Sequence, residues 1–134
     1  DNGYISGNSF RTGEGTVRYT APAGGLAPGD LVTYQSGAAG WQSADGTFAL
    51  SVSGDSVLLY QECVDSSLSF IHGANFANSG WVSPAEVTST TVSALPSELI
   101  SMNVELSSAD NHYYSAATSG SVSTLQDLIN DASN

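Results

Sequence analysis

The sequence predicts an all-β protein, an antiparallel β-sandwich with one C-terminal α-helix, occupying residues 1–134 as a single domain. Three observations predict it. Short alternating or β-branched runs begin at Val17, Leu31, Thr47, Val57 and Leu68, and Gly/Pro/Asp turns separate them, which is the spacing of hairpins in a sandwich or small barrel. The polar surface comes from 33 Ser and Thr residues and 14 Gly, which suit turns and strand faces, whereas helix surfaces favour Glu, Lys and Arg. Only one stretch carries a helical period.

Taken in order, Asp1-Asn2-Gly3-Tyr4 is a turn signal with no strand before it, although a hairpin needs two arms. Gly15–Thr20 alternates and places Val17 and Tyr19 on one face of a strand. Residues 21–30 are a Pro/Gly loop, Leu31–Gln35 is the next expected strand, and Gly37–Gly46 is an expected loop holding Trp41. Thr47–Ser53 alternates, with Phe48, Leu50 and Val52 on one side, and Gly54-Asp55 is expected to turn it into Val57–Cys63. That strand is nearly continuous in apolar residues, which predicts a central position buried on both faces. Asp65-Ser66 turns the chain into Leu68–His72. From Gly73 to Pro96 the pattern weakens into a Ser/Thr/Asn-rich connection, where Phe76 and Trp81 peg a loop onto the core. Leu99–Leu106 is expected to be one more strand and Tyr113-Tyr114 a short one. Val122, Leu125, Leu128 and Ile129 then share one face of a helix, with Ser121 or Ser123 as its N-cap.

Charge narrows the function. Arg11 and Arg18 are the only basic residues beside thirteen carboxylates, for a formal net charge of −11. No lysine is present to form a Schiff base or neutralise a phosphate, and the acidity opposes both nucleic acid and anionic membrane surfaces. No run approaches the ~18 apolar residues of a membrane-spanning helix. No signal peptide is visible at the abrupt opening of the chain. Cys63 excludes an internal disulfide, and its place in VLLYQECV predicts a buried, inert thiol; an intermolecular bridge would need it exposed.

Catalytic groups are scarce. His72 and His112 are the only candidate bases and no GxSxG elbow occurs. The two histidines are too far apart in sequence for an i, i+4 metal pair. Calcium is the more serious cofactor, since Asp1, Asn2, Asp110 and Asn111, with Asp45, Asp55 and Asp65, sit in turns of suitable oxygen chemistry. No EF-hand or GGxGxD pattern is present, and the favoured reading is that these residues initiate turns by bonding the backbone two residues on. Trp41, Trp81, Tyr113 and Tyr114 admit a sugar-binding surface, but such rings more often pack into the core.

Several segments, read together, resemble a known group: Asp1-Asn2-Gly3-Tyr4; Glu14-Gly15-Thr16 leading to Tyr19-Thr20-Ala21-Pro22-Ala23-Gly24-Gly25; residues 53–61 (SGDSVLLYQ); Phe70-Ile71-His72-Gly73; Gly80-Trp81; Ala94-Leu95-Pro96; Asp110-Asn111 before Tyr113-Tyr114; and residues 125–131 (LQDLIND). The chain resembles a β-rich domain recurring in large extracellular surface proteins of bacteria and marine algae, and more distantly the algal self-assembling sheet proteins such as the diatom pyrenoid shell. The resemblance implies a module without catalytic activity, at a cell surface or in an algal plastid shell. It further implies that one or two opening strands are absent, leaving a sheet edge for a neighbour to fill. The expected function is therefore structural: self-association into a homo-oligomer or polymer forming a layer, filament or shell. A calcium-dependent adhesion or glycan-binding module is the alternative, and an enzyme comes third.

Overall fold

The computed structural model describes residues 3–106 and 115–133. Among them strands predominate, arranged as three small sheets with a single α-helix near the C-terminus. β1 (Tyr4–Ser6) and β2 (Ser9–Phe10) form the first hairpin. Its loop is Gly7-Asn8, where Gly7 takes a φ of 57° that glycine adopts without strain. The chain is thus already extended at Tyr4. The flank of β1 is partly occupied by a later segment, because the Tyr4 carbonyl accepts from Ala94 N and Tyr4 N donates to Ser93 Oγ.

The second sheet pairs β3 (Thr16–Tyr19) with β4 (Trp41–Asp45), antiparallel. β3 falls where its alternation placed it, but its partner comes from the expected loop 37–46. Neither Leu31–Gln35 nor Thr47–Ser53 forms a strand. The Tyr19 ring packs on Trp41 directly opposite it, at 5.1 Å between centroids, which favours this register. Thr47 and Phe48 instead cross closely over Gly15, where a Cβ would lie 2.0 Å from the Phe48 nitrogen. Leu31 gains no partner strand and lies 81% exposed. Without a strand at 47–53 the expected Gly54-Asp55 hairpin is replaced by a turn in which Gly54 N donates to Ser51 O.

The third sheet has the order β5-β6-β7, from Ser56–Glu62, Leu68–Asn75 and Asn103–Glu105. β5 and β6 form a hairpin around Asp65-Ser66, as expected. The extra residue in their ladder sits between Leu59/His72 and Tyr60/Phe70, which leaves Ile71 unpaired. β5 is an edge strand, not a central one buried on both faces. β6 holds the centre, because a short β7 adds parallel to its far side. The expected strand 99–106 is reduced to β7, since Ser97–Leu99 forms a 3₁₀ turn first.

The core is small. Tyr4, Val87 and Ala94 are buried together, with Ile5, Phe10, Leu58, Phe70 and Val82 against them. The β1–β2 hairpin meets the β5–β6 hairpin through rings: Tyr4 contacts Phe10 and Phe70 edge-on, and Tyr60 contacts both Phe10 and Phe70. A second aromatic group, Tyr19, Trp41, Tyr34 and Phe48, serves β3–β4. α1 (Val122–Ile129) forms as the sequence predicts, with Ser121 Oγ accepting from Thr124 N as its N-cap.

Candidate functional site

Three places on the described chain hold groups with chemical potential: the turn carboxylates, the histidine on β6 and the outer edge of β5. The proposed calcium ligands Asp1, Asn2, Asp110 and Asn111 lie outside the described residues, as do His112, Tyr113 and Tyr114. Of the other turn carboxylates, Asp65, Asp30 and Asp131 are engaged by neighbouring backbone N–H groups. Asp65 Oδ1 accepts from Ser67 N and Ser67 Oγ, and these bonds hold its carboxyl below the usual aspartate range. Asp30 accepts from Ala27 N, and Asp131 from Ser133. Asp45 stands at the end of β4, opposite Thr16. Among the described residues no group of three or more His, Cys, Asp or Glu is placed to hold a metal ion.

Asp55 differs from the rest. It is 0% exposed, and its two oxygens accept from Ser56 N at 2.8 Å and Ser51 N at 3.3 Å. Burial pushes its carboxyl above the ordinary aspartate value, and the charge of Glu14 adds to the rise. Glu14 in turn accepts from Thr90 Oγ1. Ser56 and Asn75, which face each other across β5 and β6, are buried beside Asp55. This internal polar cluster was not legible in the sequence. Its members are scattered from residue 14 to residue 90, and Gly54-Asp55 reads locally as an exposed turn.

His72 lies half-buried on β6. Its Nε2 is 2.9 Å from Asn130 Oδ1, and Asn130 Nδ2 donates to Ser101 O, so the imidazole is the donor to the amide oxygen. Burial holds its pKa below that of a free histidine. This ring ties the C-cap of α1 to the central strand, and its bonded partner is an amide, not a serine or carboxylate.

Both tryptophans act as packing pegs. Trp81 lies over Gly73, to which a Cβ would stand 3.2 Å from the ring, and its Nε1 donates to Asn103 Oδ1. Trp41 sits between Tyr19 and Tyr34 and donates to Thr33 O. Cys63 is exposed, contrary to the buried thiol its apolar context predicts. It follows the last residue of β5 at the hairpin tip, where its N–H bonds Ser67 O and residues 61–67 are all exposed.

The outer side of β5 completes the inventory. Leu59 is 56% exposed, and Gln61 and Glu62 are also exposed. The seven residues of β5 contain no proline and no basic residue, and Glu62, at its last position, bonds Arg18 at 2.8 Å. No family model, curated protein or solved structure matches the chain.

Proposed function

We propose that this chain is a non-enzymatic structural module that self-associates through its sheet edges, building a layer, filament or shell outside the cell. The observation that carries the reading is β5, a seven-residue edge strand in the largest sheet. Edge strands carry unpaired backbone donors and acceptors, and monomeric proteins guard them with lysine, proline or a bulge in the edge strand itself. β5 has no lysine or proline, and the extra ladder residue, Ile71, belongs to the central strand β6. Addition of a strand from a second copy, by docking or exchange, satisfies those groups. The ring contacts between the β1–β2 and β5–β6 hairpins support a sandwich arrangement behind that edge.

Sedimentation and negative-stain imaging across a concentration series test the proposal. Assembly growing with concentration is expected, and Leu59→Lys should shift the population toward monomer. Because Leu59 is more than half exposed, the substitution should change monomer stability by no more than about 0.5 kcal/mol. A wild-type chain that stays monomeric throughout contradicts the reading. Chelator separates the calcium-dependent adhesion alternative: an unchanged Tm agrees with edge association, whereas a fall of several degrees favours bound calcium.

A further inference from the structure

Two buried polar atoms at the open end of the β5–β6 hairpin have no hydrogen-bond partner within the protein: Ser56 Oγ and Asn75 Nδ2. Their residues are 2% and 1% exposed, so bulk water does not reach them. Leaving a buried polar atom unsatisfied is costly because its bonds to water are lost and not replaced, so two on adjacent side chains call for a shared partner.

Their positions limit what that partner is. Ser56 and Asn75 are directly opposed in the antiparallel ladder, so both side chains emerge on one face with Cβ atoms roughly 5 Å apart. The two atoms do not bond each other. A single small molecule accepting about 2.8 Å from each side spans such a gap. The Asn75 amide is oriented by Ala77, whose N–H donates to Oδ1 at 2.9 Å, so the atom left over is an N–H donor. A donor repels a cation and welcomes an oxygen. The Asp55 carboxylate next to Ser56, with Glu14 acting on it, excludes an anion. What remains is a neutral molecule that both accepts and donates.

We infer that Ser56 and Asn75 form an internal hydration site, in which a bound water accepts from Asn75 Nδ2 and exchanges a hydrogen bond with Ser56 Oγ. Its second hydrogen is left for one further acceptor, in keeping with the roughly three bonds that buried waters make. The water joins the start of β5 to the end of β6, beside the Asp55 and Glu14–Thr90 contacts that bring in the 14 and 90 segments. The site therefore reinforces the open end of the β5–β6 ladder.

A high-resolution crystal structure of the full chain, with solution NMR detection of water contacts at the Asn75 side-chain NH2, tests this. The expected result is one ordered water within hydrogen-bonding distance of both atoms and a slowly exchanging water signal at the Asn75 amide. Added calcium chloride should leave that amide resonance unmoved. A direct Ser56–Asn75 bond, an empty gap, or a calcium-dependent shift of the Asn75 amide would each overturn the inference.

Discussion

Aspartate in a turn does two different jobs in this molecule, and the difference is burial. Asp65 and Asp131 are solvated, accept local serine N–H and O–H groups, and have depressed carboxyl pKa values. Asp55 accepts two backbone N–H groups yet has a raised pKa, because the loss of water outweighs those bonds. The sign of its effect on stability follows. A folded-state pKa above the unfolded value means the folded chain holds the proton to higher pH, so this contribution is complete below the ordinary aspartate value and is lost as pH rises through the folded pKa. Denaturant titrations between pH 3 and about 7 should contain a component that falls with rising pH and disappears in Asp55→Asn. An Asp55→Asn variant with the wild-type pH profile would assign that component elsewhere. Nothing in the local sequence separates Asp55 from Asp65, since each stands in a Ser/Asp turn beside a strand.

At the scale of elements, α1 and β5 stand at opposite ends of legibility. α1 was readable because its cap and its apolar spacing are both local. Its attachment was not. None of its residues is fully buried, and Leu125 and Leu128 are only half-covered. The specific tie is Asn130, which links His72 on β6 and the Ser101 carbonyl. Asn130→Ala removes both bonds, at about 1 kcal/mol each. Hydrogen exchange should then run at least tenfold faster in α1 while the β5–β6 ladder keeps its protection; equal acceleration in both would mean that α1 opens only with the whole domain. For β5, the apolar run VLLY suggested burial on both faces, but a run of this kind fixes only strand propensity. Which strands flank it is settled by where the connections return, and here β7 returns to the far side of β6.

For the whole molecule, charge and association pull in opposite directions. Copies carrying −11 repel on approach, so contacts between them depend on uncharged strand edges and apolar side chains. The exposed Arg18–Glu62 pair contributes little, as surface ion pairs do. Raising salt from low ionic strength to 0.15 M shortens the screening length to about 8 Å and removes most long-range repulsion. Assembly should therefore strengthen with added sodium chloride, read as a rise in weight-average mass by light scattering. Assemblies that dissolve as salt is raised would show that attractive ion pairs hold them instead.

The sequence by itself determined what depends on neighbours a few residues apart: the β-rich class, β3, the β5–β6 hairpin with its Asp65-Ser66 turn, and the capped helix at Ser121. The Gly7-Asn8 hairpin was also written locally, as a Gly-first pair between Tyr4-Ile5 and Phe10, but Asn2-Gly3 offered a competing turn signal. Tertiary structure decided which extended segments became strands. A period of two shows that a segment has an apolar face, whereas a strand exists only when another backbone supplies partners for its N–H and C=O groups. Trp41–Asp45 found β3 as such a partner; Leu31–Gln35 and Thr47–Ser53 found none. The same non-local placement buried Asp55, exposed Cys63 and brought Ser56 against Asn75.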